Sequence, residues 1–326
     1  MKLFSFGVLL VFCLGRSHAT EPGRCGPFQY FQGDADEIAK SETLQAAFSN
    51  LEAWLETLQY NLQAPSISFG VVYDQQLVYY NSLGDVNPES NSPEVPPDAD
   101  SIYRIGSVSK VWTVLMALQL RDRGVLSMDD PISKFHPEFG IQNPWGITQD
   151  EKEGETLTLH HLASQISGLP REAPCLDDCI AVSTLEIFQR LKRETMVHAT
   201  GVQPSYSNLA YGALGNVLSE YIGDKSFNKT LFDTVIGPMR LRNTGLYLTR
   251  EQKKKAATGY NLDGSVAGYV DLGWIGPAGQ MFSSVNDLSK LLMQYFAAFP
   301  SLYQRELKED FDFVLRPQTL RDHLQP

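Results

Sequence analysis

Residues Tyr103 to Gly124 read YRIGSVSKVWTVLMALQLRDRG, with apolar side chains at Val108, Val111, Trp112, Leu115, Met116 and Leu118. A segment apolar nearly all round at helical spacing is a helix buried inside a domain. Gly124 closes it. Ser107 and Lys110 stand three apart at its first turn, which stacks hydroxyl and amine on one helical face. The positive end of the helix dipole and an apolar surround both disfavour an ammonium there. The neutral amine that results can take a proton from a serine, so the pair reads as a nucleophile beside its base.

The S-x-x-K pattern is short, and a second copy at Ser226 and Lys229 acts as an internal control. That copy lies in GDKSFNKTLF, after a turn and overlapping the N-x-T sequon at Asn228, and reads as a solvated helix start. Asn228 is an N-glycosylation candidate that should be exposed. The first copy differs in its buried setting and in Gly106, which lets backbone approach a ligand closely.

The 326 residues, 43% hydrophobic and 20% charged, have globular composition and can bury a sizeable core. Residues 1–19 read MKLFSFGVLLVFCLGRSHA: a lysine, an apolar run from Leu3 to Leu14, and Ser17 and Ala19 at the small positions of a cleavage site. This is a secretory signal peptide, and the run is too short to span a bilayer, so a secreted chain is expected. Loss of Lys2 and Arg16 lowers 27 basic residues to 25 against 38 acidic ones, a net charge of about −13. Nucleic acid and anionic membrane are poor partners for such a chain. Cys13 leaves with the signal, and of Cys25, Cys175 and Cys179 the last two can close a small loop as a disulfide. Without a nearby histidine they make no usual zinc set, and the chemistry read above calls for no cofactor.

An N-terminal loop over 20–41 precedes a domain from 42 to 326. Residues 42–62 carry apolar positions at helical spacing, and Ser66 to Tyr73 with Gln75 to Ser82 read as a hairpin turning near Asp74. LSMDDPISKFHPEFG reads as a surface connection with two prolines, QDEKEGE as a charged loop, and TLTLHHLASQISGLP as a short helix ending at Gly168 and Pro170. At most one of the adjacent His160 and His161 could face a site, and capping or packing suits them better. Ser183 with Glu186 and Ser284 with Asp287 are capping boxes opening further helices, and Pro204 to Asn208 is a loop feeding a helix to Gly223. Helices at both ends around an early hairpin suggest an α+β fold.

Tyr206-Ser207-Asn208 follows Ser107 by 99 residues and opens a helix. With this Y-x-N the chain resembles the serine β-lactamase and penicillin-binding-protein superfamily, in its class C-like branch and especially its animal lactamase-like members. APSISFGVVYDQQLVYY, YRIGSVSK, LTLHHLASQISGLP, IGPMRLRNTG and GPAGQMFSSVNDLSKLL carry the likeness over roughly residues 42 to 322. Another Y-x-N, at Tyr79 and Asn81, precedes the serine within a strand and reads as packing. The resemblance implies a three-layer α/β/α sandwich with an antiparallel sheet and an all-helical region. It makes Ser107 the nucleophile and Lys110 its proton acceptor. Tyr206 would relay the proton to the leaving group, and Asn208 would orient the substrate amide and hold Lys110.

Relatives carry a third motif, K-T-G or H-x-G, on a later strand. Here no histidine is followed by x-G, and the K-x-G at Lys152 to Gly154 lies upstream of Tyr206. The chain stops at RPQTLRDHLQP, so it reads as truncated before the last β segment, with activity far below that of a chain carrying it. Gln165 and Ile166 replace the His-Thr of many relatives, a difference of packing. The expectation is a secreted serine hydrolase that cleaves an amide or ester of a small molecule or peptide through an acyl-enzyme. The alternative is an inactive lactamase-like protein that binds without turnover.

Overall fold

A computed structural model describes residues 35–73, 75–88, 94–145, 156–175, 179–223, 226–261, 263–299 and 313–324. In chain order its elements begin with α1 (Ala35–Lys40), α2 (Glu42–Leu62), β1 (Ser66–Tyr73), β2 (Gln76–Gly84), β3 (Tyr103–Arg104), a 3-10 turn over Gly106–Val108, and α3 (Ser109–Asp122). There follow α4 (Ile132–Phe135), α5 (Leu159–Ala163), α6 (Thr184–Leu191), α7 (Asn208–Tyr221), α8 (Phe227–Leu231) and α9 (Arg250–Lys253). The last are β4 (Gly259–Tyr260), β5 (Val266–Ala267), α10 (Gly276–Gly279), β6 (Phe282–Ser283), α11 (Val285–Ala297) and α12 (Pro317–His323). They form two compact units, one of residues 102–254 and 259–283, the other of the described residues within 8–101, 255–258 and 284–326.

The second unit is built on the hairpin. β1 and β2 pair antiparallel from Ser66 opposite Gly84 to Tyr73 opposite Gln76, and Gln75 makes the turn at φ 58°. Period-two alternation gives the sheet two faces. On one, Tyr79 stacks on Phe48 of α2 with ring centroids 4.0 Å apart, and Tyr79 Oη and Asn81 Nδ2 both donate to Glu52. This Y-x-N copy thus fastens α2 to the sheet. On the other face α11 packs at Gly70, which gives helix, antiparallel sheet and helix in three layers. Residues 35–40, expected as loop, are helical: ADEIAK puts Asp36 and Glu37 in the first turn and Lys40 in the last, which suits the dipole.

α12 closes on α11 through Tyr295, whose hydroxyl meets His323 Nδ1 at 2.6 Å. Burial pushes the His323 imidazole down to about 4. Between that value and the ordinary one near 6.5 the unfolded chain binds the extra proton, so stability rises with pH across this window and is lost as pH falls through it. The loss reaches at most about 3 kcal/mol below the window. Urea midpoints measured from pH 7.5 to 4 should fall accordingly, and His323→Gln, which does not titrate, should flatten this part of the curve. An unchanged acid limb in that variant would refute the assignment.

The first unit surrounds α3. Trp112, Leu115, Met116 and Ala117 are fully buried on it, packed against α7, α8 and α10. The expected helix starts later than its apolar pattern, because Tyr103 and Arg104 pair with Ser283 and Phe282 as β3 and β6 before the 3-10 turn. The connection expected on the surface contains α4, whose Ile132 and Phe135 are buried, Phe135 edge-on to Tyr221 at 4.8 Å. His161 caps α5 together with Thr158, whereas Ser183 caps α6 alone because Glu186 turns to Arg190. In the control copy Ser226 caps α8 and Lys229 pairs with Asp233 on the surface. Asn228 beside them is half-buried and Thr230 buried, less open than the sequon suggested. Among the described residues no helix is long and apolar enough to cross a membrane.

Candidate active site

Everything described here lies in the first unit. Ser107 sits in the 3-10 turn between β3 and α3, exposed, while Lys110 one turn on is buried. The turn needs Gly106 at φ 49°, a left-handed conformation that a side chain would strain. Ile105 N–H donates to Met281 O at 3.0 Å, and Ser109 Oγ donates to Gly106 O at 2.6 Å while accepting from Met281 N–H at 3.0 Å. The nucleophile candidate is therefore clamped on both sides by Met281, directly before β6.

Tyr206 reaches the same spot from the loop before α7. Ser207, not Asn208, caps that helix, its Oγ accepting from Ala210 N–H at 3.0 Å. The Asn208 side chain is left free to face Lys110, with Oδ1 2.8 Å from Nζ. Its Nδ2 donates to both carboxylate oxygens of Glu172 at 3.0 Å, and since a carboxylate only accepts, this fixes which end of the amide meets the lysine. Arg171 lies over the Tyr206 ring at 4.9 Å and pairs with Glu172 at 3.3 Å.

Four oxygens surround Lys110 Nζ: Tyr206 Oη at 2.6 Å, Ala278 O at 2.7 Å, Asn208 Oδ1 at 2.8 Å and Ser107 Oγ at 3.3 Å. Tyr206 Oη is also 2.5 Å from Ser107 Oγ. Ala278 O and Asn208 Oδ1 can only accept, so together they take two N–H groups whatever the charge state. In the ammonium form the third proton points to Tyr206, whose hydroxyl points to Ser107. In the amine form the lone pair accepts from Tyr206, which accepts from Ser107. A proton passed from Ser107 through Tyr206 to Lys110 reverses two hydrogen bonds and breaks none. Burial holds the Lys110 amine below the ordinary lysine range; Tyr206 and Glu172 offset part of this, and Arg171 adds to it.

The Ala278 carbonyl had no signal in the sequence, because backbone groups carry none. Its position comes from packing: Gly215 of α7 faces Pro277, whose ring lies 2.6 Å from where a Cβ would stand, and Thr113 of α3 donates to Pro277 O at 2.7 Å. Asn216 Nδ2 holds Trp274 O at 2.7 Å, and Trp274 N–H donates to Cys179 O at 2.8 Å. The Sγ atoms of Cys179 and Cys175 are bonded, so a small closed loop anchors the segment bearing Ala278. Glu172 and Arg171 were equally unforeseen, although both lie directly after the GLP of a quoted stretch. The K-x-G at Lys152 lies outside the described residues. Among the described residues no cluster of His, Cys, Asp or Glu could hold a metal.

The profile of the family described as Beta-lactamase matches residues 51–320. The chain belongs to the beta-lactamase family. Within that family it is similar to the human protein beta-lactamase-like 1, at 32% identity over 254 residues covering 77% of this chain and 50% of the relative. Beta-lactamase-like protein 2 of Dictyostelium discoideum is 30% identical over 270 residues, covering 80% of this chain and 47% of the relative. The chain thus spans about half the length of these beta-lactamase relatives. The solved beta-lactamase/D-alanine carboxypeptidase of Yersinia pestis matches with TM-score 0.59 and 29% identity, over 74% of this chain and 65% of that one. The class C beta-lactamase of Rhodobacter sphaeroides matches with TM-score 0.64 and 22% identity, over 78% and 68%, a likeness of fold.

Proposed function

We propose that this chain is an exported serine hydrolase that cleaves an amide or ester of a small molecule or peptide through an acyl-enzyme on Ser107. The observation that carries the reading is the placement of Tyr206 Oη, 2.5 Å from Ser107 Oγ and 2.6 Å from Lys110 Nζ. Ser107 Oγ attacks the carbonyl carbon and its proton passes through Tyr206 to Lys110. The returning proton leaves on the departing amine or alkoxide as the C–N or C–O bond breaks. Water then repeats the sequence on the acyl ester and frees Ser107. The Ser107 N–H is the first donor to the oxyanion, and Asn208 orients the substrate amide. The bacterial relative D-alanyl-D-alanine-carboxypeptidase/endopeptidase AmpH, 28% identical over 254 residues, favours a peptide-like amide. Residues 1–19 as an export signal, and a glycan on Asn228, complete the reading.

The test is labelling with an activated-ester probe and localisation of the adduct by mass spectrometry. A slowly formed adduct on Ser107, lost in Ser107→Ala, is expected. No adduct, with a known serine β-lactamase labelled in parallel, would replace the hydrolase reading by that of a protein that binds without turnover.

A further inference from the structure

We propose that Gln165 is the positioning residue for Tyr206, an assignment that rests on the proposed role of Tyr206. α5 stops in a Schellman turn: Ile166 N–H donates to His161 O at 3.2 Å, and the residue after the Ser164 C-cap is Gln165 at φ 61°. That place is ordinarily glycine's, because a side chain is strained in the left-handed region. A glutamine in that place sets its side chain beside the loop that carries Tyr206.

The contacts show what Gln165 does there. Gln165 O accepts from Ser205 N–H at 2.7 Å, and Gln165 Oε1 accepts from Ser207 N–H at 2.6 Å. One residue thereby brackets Tyr206, gripping the N–H groups of the residues on either side of it. The next peptide groups belong to a separate clamp, in which Asn208 N–H and Leu209 N–H donate to Arg171 O at 2.7 and 3.4 Å. The Tyr206 side chain is partly exposed and is held by Arg171 and Lys110 at its ring and by Ser107 and Lys110 at Oη, so the bracket fixes the backbone from which that side chain reaches the site. The main-chain half of the bracket survives any substitution. The side-chain half belongs to Gln165 alone.

Gln165→Gly makes the decisive variant, since glycine suits the turn while removing Oε1. Its Tm should fall by no more than about 5 °C, because relief of strain at φ 61° offsets part of the cost of the unpaired Ser207 N–H and of glycine's greater unfolded-state entropy. Single-residue hydrogen exchange should show Ser207 N–H losing protection by about tenfold or more, with Asn208 N–H unchanged. The limiting acylation rate with the activated-ester probe should fall about 10- to 100-fold at unchanged half-saturation, as for a displaced catalytic group. Gln165→Glu, which restores an acceptor of the same reach, should recover both. In a Tyr206→Phe background the rate effect of Gln165→Gly should vanish. Unchanged Ser207 exchange in Gln165→Gly would overturn the assignment, as would a rate loss matched by a larger loss of Tm and not recovered in Gln165→Glu. The exchange measurement needs no turnover, so it decides the bracket even if the wild type fails to label at Ser107.

Discussion

Lys110→Met should lower acylation of Ser107 by about 100- to 10,000-fold, the usual contribution of a positioned proton acceptor. This equals about 3–5 kcal/mol on the barrier. Methionine nearly matches the lysine stem in volume but offers only a non-basic thioether sulfur to Tyr206, so the relay from Ser107 ends on a hydroxyl with nowhere to pass its proton. Stability should respond less. The Ala278 carbonyl and the Asn208 amide oxygen each lose a donor, at about 1–3 kcal/mol for a buried group left unpaired. Against that, the variant no longer buries an amine. The measurement is the limiting acylation rate and the Tm of the same preparation. A rate within threefold of the wild type would remove Lys110 from the mechanism.

The same residue sets the sign of the pH dependence. The amine must be neutral to accept the serine proton, so acylation should rise with pH as Lys110 loses its own. Burial places this rise below the pH at which an ordinary lysine titrates. The wild-type profile between pH 6 and 10 should therefore climb, and that of Lys110→Met should be flat.

What could be read from the sequence follows from which features leave a periodic or compositional trace. α2 and the hairpin were legible because their apolar spacing repeats over many residues, and Ser107 with Lys110 because a polar pair at the head of a buried helix conflicts with its surroundings. Tyr206 and Asn208 were found through family order rather than local pattern. The stop of α5 after Ala163 was not legible: glutamine is a sound helix former, and nothing in the spacing marks the left-handed backbone at Gln165, where Oε1 meets Ser207 N–H. The exchange of His-Thr for Gln165 and Ile166 is more than a difference of packing, because Gln165 makes a polar contact next to the site. Ala278 O and the orientation of Asn208 by Glu172 depend on tertiary approach and have no counterpart in spacing.

Tyr206→Phe should separate the relay from the fold. The substitution removes one oxygen and leaves the ring beneath Arg171. Tyr206 is 38% exposed, so the lost hydrogen bonds should change stability by no more than about 1 kcal/mol. Acylation, in contrast, should fall by about 100- to 1,000-fold. It should not reach the level of Ser107→Ala, because Lys110 Nζ still stands 3.3 Å from Ser107 Oγ and can take the proton directly across that longer gap. The climb with pH should persist, since the amine remains the final acceptor. Ser107→Ala should thus be inert, with Tyr206→Phe losing no more activity than Lys110→Met and both remaining above it. A Tyr206→Phe rate equal to the wild type would mean that the direct 3.3 Å path carries the proton and that Tyr206 only shapes the pocket. A rate equal to Ser107→Ala would mean that the lysine reaches the serine through Tyr206 alone.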